Sequence, residues 1–313
     1  MPYDPAPPVR SSSVFWDHLD ATDRHTRPSG HVLTGLNDLD SLTLGLEPGT
    51  PTVVASRPGV GSTTLLLAFC RGMALVRDTP TLLVGYEDSR RHLLTRIVST
   101  EARVGYHALR SGHLTADDRA KLARVVPRLA EAPLRLATPA DWTLSELSEH
   151  ITRACATGES AVRVVAVDGL RHIRPDARGD THERETAEAV QTLKALAVRL
   201  DIPIVVTTDL DLPPGADPRQ PPNLYTDLCG AVTRAADLVI LVHREDADGR
   251  GSSRADDRGQ TPKRPRGDDD RGLPGPLQPL RRHGNRLTLG QGSACRSMPR
   301  VAMRSSWSSN QTR

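Results

Sequence analysis

PTVVASRPGVGSTTLLLAFC, residues 51–70, decides how this chain is read. A short, almost continuously apolar run passes through a loop containing Gly59 and Gly61 into an apolar helical run. Strand, glycine turn and helix start are the parts of a phosphate-binding loop, because the free N–H groups of the helix then point at the anion. The usual spelling is G-x-x-x-x-G-K-[ST]. Here Ser56 stands at the first Gly, Gly61 at the second, Ser62 at the Lys and Thr63 at the Ser/Thr. The candidate nucleotide-binding residues are therefore Ser56, Arg57, Pro58, Gly59, Val60, Gly61, Ser62, Thr63 and Thr64. The only lysines are Lys121, Lys194 and Lys263, so no slip of the motif restores the missing ammonium. Arg57 precedes the turn and lies on the wrong side of Gly61 to replace it.

Working outward, apolar runs recur at 51–55, 80–84, 133–137, 162–167, 203–207 and 237–242. Helical patterns fill 63–76, 88–101, 117–130, 143–156 and 182–200. Short runs apolar on both faces, alternating with helices, predict an α/β fold: a mostly parallel central sheet with helices on both faces. Ligands of such sheets bind beyond the carboxyl ends of the strands.

The polar residues at those ends are the next candidates. GYEDS (85–89) puts Glu87 just past the second strand, where a carboxylate can activate a water. The same residue also suits a helix start, whose positive end favours acids. VRVVAVDGL (162–170) ends its apolar run at Asp168, the form of a magnesium-holding carboxylate, or of a turn Asp. Thr63 is the hydroxyl partner for that ion. In RHIRPDARGDTHER (171–184), Arg171, Arg174 and Arg178 are candidate contacts to a phosphate backbone; a solvated charged loop fits equally well. Asp209 and Asp211, after the fifth run, would repel phosphate.

Composition narrows the rest. A net charge of +3 argues neither for nor against nucleic acid, and 3% aromatics leave few platforms for stacking bases. The 4 cysteines are widely spaced, as isolated thiols in a reducing cytoplasm would be. No export signal and no membrane span are expected. Residues 1–31 read as a flexible leader, with VFWDHLDATD (14–23) compatible with a short helix. Residues 32–246 form the folded domain. Residues 247–313 lack apolar periodicity and read as a disordered Arg/Gly/Pro/Ser-rich tail, whose composition also resembles out-of-frame translation of GC-rich coding sequence.

Residues 33–245 resemble the C-terminal motor domain of DnaB-type replicative helicases, a RecA-like P-loop NTPase of superfamily 4. The resemblance rests on TGLNDLDSLTLGLEPGT (34–50), RPGVGSTT (57–64), GYEDS, VVAVDGL (164–170), ERETAEAVQTLKALAVRLDIPIVV (183–206) and AADLVILVHRED (235–246). The stretch 99–136 resembles the family's helical insert in order and wording. The resemblance implies ATP and Mg²⁺ as ligands, with Thr63 and Asp168 on the metal and Glu87 activating water. It implies single-stranded DNA as substrate, a homo-hexameric ring, replication proteins as partners and 5′–3′ unwinding in the cytoplasm. Several positions depart from the family: Ser62 replaces the loop Lys, and Asp209 falls where the family has a γ-phosphate-sensing Gln. DLCGAV (227–232) is shortened, and the family's Lys-x-Arg element has only Lys263 and Arg266 as candidates. These departures point to a degenerate paralogue with weakened hydrolysis; a catalytically inactive nucleotide-sensing or interaction protein, or a truncated product, is the alternative.

Overall fold

The computed structural model describes residues 30–156, 158, 161–177, 181–211, 217, 220–224, 226–243 and 302–305. The leader's helical patch, Arg178, Lys263 and Arg266 lie outside the described residues.

The elements follow in chain order: α1 (Asn37–Thr43), β1 (Pro51–Ser56), α2 (Ser62–Arg71), β2 (Thr81–Gly85), α3 (Arg90–Ala102), α4 (Tyr106–Ser111), α5 (Ala116–Glu131) and β3 (Leu134–Ala137). Then come α6 (Leu144–Cys155), β4 (Val164–Asp168), α7 (His182–Leu200), β5 (Ile204–Asp209), α8 (Gly230–Ala235), β6 (Leu238–Val242) and β7 (Ala302–Ser305). The sheet order is β3-β2-β4-β5-β1-β6-β7, parallel from β3 through β6. β7 pairs antiparallel with β6, so four residues of the segment read as a structureless tail take a strand at the sheet edge.

Alternation explains why the strands read as unbroken apolar runs. Val53, Ala55, Val165, Val167, Ile204 and Val206 face one core cluster, which α6, α7 and α8 close. Val54, Val164, Ala166, Val205 and Ile240 face the other, which α1, α2 and α3 close. In β1, β2 and β4 both faces are buried, so no exposed polar alternate appears, whereas the edge strand β3 exposes Arg135. A small third cluster, Ala102, Val104 and Val125, holds the helical insert together.

The helices start where side-chain oxygens accept from early N–H groups. Thr115 and Thr143 form capping boxes with Asp118 and Glu146, and Ser89 and Thr181 cap α3 and α7. The predicted helix over 63–76 is interrupted. It is α-helical to Arg71 and widens into a π-turn over Gly72–Val76. There the chain before β1 crosses it. Gly35, at φ +82°, would place a Cβ 2.7 Å from Gly72 Cα, so two backbones pass with no side chain between them. Buried Asp40 fixes this crossing by accepting from Thr34 N at 2.9 Å, Thr34 Oγ1 at 2.7 Å and Gly35 N at 3.0 Å.

Among the described residues no helix is long and apolar enough to cross a membrane, and Cys70, Cys155 and Cys229 are free thiols.

Candidate nucleotide site

The loop 57–61 joins the end of β1 to α2 in the middle of the sheet. Gly61, at φ +126°, takes a backbone conformation that a side chain would strain, and it turns the chain into the helix. No described side chain caps α2, and its first turn carries no acid. The first N–H groups of α2 are thus left for an anion. A Cβ at Gly59 would meet nothing within 4 Å, so the outer rim of the loop is open. Pro58, Gly59 and Thr64 are exposed, and Val60, Ser62 and Thr63 half-buried. Ser56 is fully buried at the end of β1, its hydroxyl donating to Arg57 O at 3.0 Å; its side chain belongs to the strand rather than the cradle. The Arg57 guanidinium donates to Gln220 O at 2.8 Å and lies 3.4 Å from Asp227. That cation is engaged by the segment after β5 and does not replace the missing Lys.

Strand order places the second half of the site. β5 lies between β1 and β4, so Asp168 is one strand removed from the loop. Thr63 Oγ1 spans that gap and donates to Asp168 Oδ1 at 3.0 Å. Thr207, on the intervening strand, donates to the same oxygen at 2.8 Å and accepts from Gly169 N at 2.8 Å. Thr207 lies toward the end of β5, outside the residues that the loop motif singles out. Its role follows from strand order, which local pattern does not encode.

Asp168 is 1% exposed, and its Oδ2 is buried with no hydrogen-bond partner among the described residues. Such an atom is costly unless something cationic meets it. Among the described residues no cluster of three or more His, Cys, Asp and Glu has metal-holding geometry. A hydroxyl and one carboxylate beside an anion cradle instead suit magnesium, which keeps most ligands as water and phosphate. On this chemistry the donor set fits Mg²⁺ with a nucleotide phosphate.

Burial pushes the Asp168 carboxyl above its ordinary range, opposed by the hydrogen bonds from Thr207 and Thr63. A carboxyl whose folded pKa is raised stabilises the fold below its unfolded pKa, and that contribution is lost as pH rises through the folded value. Asp168→Asn is therefore expected to raise the urea midpoint of the ligand-free chain at pH 7. The gain should shrink as pH falls through the raised folded value toward the ordinary carboxylate range, and be gone below that range. An unchanged or lowered midpoint at pH 7 would show that the two threonines fully compensate the buried charge.

Glu87 stands just past β2, with Tyr86 N donating to Asp168 O at 3.2 Å beside it. Its Oε1 is 3.1 Å from His172 Nε2. Desolvation raises the Glu87 pKa, His172 opposes the rise, and Asp168, Asp209 and Asp88 add to it. A carboxyl raised in this way is suited to take a proton. Asp88 pairs with Arg96 at 3.3 Å and lies 3.7 Å from His92.

The two described candidate DNA-contacting arginines each lie beside an acid. Arg171 pairs with Asp211 at 2.7 Å, and Arg174 lies 3.9 Å from Asp141. Between β5, α7 and α8 a cleft of about 360 Å³ is lined by Arg171, Glu183, Asp209, Asp211 and Asp227. Four of the residues lining this cleft are acids.

The comparisons with known proteins agree with this architecture. Residues 31–264 match the DnaB-like helicase C terminal domain family, beyond the boundary drawn at 246 from composition. The chain is 31% identical over 254 residues to the replicative DNA helicase DnaB of Leifsonia xyli subsp. xyli, covering 80% of this chain and 55% of that protein. It is 30% identical to the DnaB of Pasteurella multocida, covering 73% and 49%. The chain thus spans about half the length of the curated relatives it matches. In fold it is similar to a DnaB-like replicative helicase solved in a study of its interactions with primase, with TM-score 0.69, 16% identity and coverage of 77% and 58%. It is also similar to a second solved structure, an isolated ATPase domain, with TM-score 0.69, 18% identity and coverage of 79% and 88%. A parallel sheet with a glycine loop after β1, a carboxylate after β4 and this extent of sequence match lead to one assignment: the chain belongs to the DnaB-like helicase C-terminal domain family.

Proposed function

We propose that this chain binds Mg-ATP and associates with single-stranded DNA, and that its hydrolysis is weakened or lost at Ser62. By ancestry the activity is ATP-dependent 5′–3′ unwinding in cytoplasmic DNA replication, within a homo-hexamer or with replication proteins. One observation carries the reading. Thr63 and Asp168 meet at 3.0 Å across the sheet beside an uncapped helix start, while the adjacent position, which calls for an ammonium, is Ser62.

In this reading the backbone from Arg57 to Thr64 holds phosphate, and Thr63 and Asp168 hold the metal. Glu87 orients the attacking water and accepts its proton. The loop carrying Arg171, Arg174 and Arg178 faces the DNA backbone. The bound magnesium supplies charge neutralisation at the phosphates.

The alternative is a nucleotide-sensing or interaction protein without turnover, or a truncated product. The Lys-free loop favours it, with Asp209 standing opposite Ser56 in the β1–β5 register. Equilibrium binding of Mg-ATP to the full-length chain, with turnover measured with and without single-stranded DNA, separates the readings. We expect measurable binding, slow turnover and stimulation by DNA. Binding without any turnover supports the sensing protein. Absence of binding overturns the nucleotide site, and rapid turnover overturns the weakened hydrolysis.

A further inference from the structure

We propose that His172 is a positioning residue for Glu87, fastening it to the turn that follows β4. The inference rests on the reading of Glu87 as the water-activating carboxylate. Its basis is a local arrangement that needs three particular residues.

Gly169 leaves β4 at φ +100°, donates to Thr207 and opens a short 3₁₀ turn over Leu170–His172. A Cβ at Gly169 would lie 2.9 Å from His172 Cδ2 and 3.3 Å from Glu87 Oε1. Only a glycine therefore leaves room for the imidazole and the carboxylate to meet, and only a glycine tolerates the backbone angle. Leu170, 1% exposed, anchors the turn in the core. His172 N donates to Gly169 O at 3.0 Å and closes the turn. Neighbouring residues of this turn then reach opposite ways. His172 meets Glu87 beyond β2, and Arg171 meets Asp211 beyond β5. β4 lies between those two strands, so its terminal turn bridges both.

The chemistry suits positioning. A glutamate on an exposed strand end samples several rotamers, and the 3.1 Å contact between Nε2 and Oε1 favours one. Oε2 is then left to face a water. Asp88, Asp168 and Asp209 surround Glu87 with negative charge, and His172 offsets them. A displacement of the Arg171 segment by a ligand would move His172, and with it Glu87.

The test has two arms. In the full-length chain with ¹³C-labelled histidine, the His172 resonance is identified by its loss in His172→Gln. At constant pH its chemical shift is expected to move in Glu87→Ala, as a ring nitrogen 3.1 Å from Glu87 Oε1 requires. This arm needs no turnover. An unmoved resonance overturns the proposal. In the second arm, on a Ser62→Lys background, His172→Ala is expected to lower kcat roughly tenfold through misplacement of the base, with KM for ATP unchanged. His172→Gln, which keeps an N–H donor, should retain most of the rate. On Glu87→Gln, His172→Ala should have no further effect. A full additional loss there, or a rise in KM alone, overturns the proposal. If the Ser62→Lys chain binds ATP but never turns over, the proposed catalytic reading has failed, and the His172 resonance alone decides whether His172 holds Glu87.

Discussion

Ser62→Lys in the full-length chain is expected to raise DNA-stimulated ATP turnover by roughly 10²–10³-fold, the scale of one charged donor aimed at developing charge in a partly desolvated site. Ser62 is the first residue of α2, at the uncapped helix start, and only half-buried. A lysine there has solvent to extend through and disturbs no core contact, so thermal stability should stay within the range of ordinary surface substitutions. The neighbouring groups are already placed: Thr63 reaches Asp168, and Glu87 is held by His172. The added ammonium completes a cradle and builds nothing else. Multiple-turnover assays with Mg-ATP and single-stranded DNA measure the effect. Unchanged turnover with intact ATP binding would show that the defect lies elsewhere, and position 62 would lose its assigned role.

Gly72→Ala is expected to destabilise the chain by about 3 kcal/mol or more, the upper part of the range for overpacking. Helix propensity alone predicts the opposite sign, a gain of about 1 kcal/mol for Ala over Gly. Packing decides the matter. The new methyl would fall on the Thr34 carbonyl oxygen and lie 3.0 Å from Gly35 Cα, both backbone atoms. Neither can retreat, because Asp40 holds Thr34 and Gly35 through three hydrogen bonds. Urea unfolding with matched m-values measures the difference. A midpoint at or above that of the native chain would show that the crossing yields, and that Asp40 does not fix it.

Much of this architecture was legible in the sequence because buried parallel strands leave a strong local mark. The run at 51–55 becomes β1 over Pro51–Ser56, and the pattern at 182–200 becomes α7 over the same residues, capped by Thr181. The apolar run at 162–167 begins two residues early. Val162 is buried, but its N–H bonds Ala154 O rather than the sheet. Helices α1, α4 and α8 have too few turns to show a period. β7 lay in a segment whose composition hid it.

The site divides along the same line. Gly61, Thr63, Glu87 and Asp168 were legible because each sits at a fixed distance from a strand end. Thr207, His172 and Asp227 were not, because their partners come from other strands. Arg57 could be placed in the loop, but its guanidinium is directed by Gln220 and Asp227, about 160–170 residues on. That pairing depends on β1 and β5 lying side by side.

The unsatisfied Asp168 oxygen carries an implication for the history of the site. A chain under selection for folding alone sheds first the residue whose loss stabilises it most. Here that residue is the buried Asp168, whereas an exposed-loop lysine could be lost or kept at little cost to the fold. The sequence carries Ser62 at the inexpensive position and has Asp168 at the buried one. If Asp168→Asn stabilises the ligand-free chain as expected, the buried carboxylate is a residue that folding does not explain and that the proposed Mg-nucleotide occupancy does.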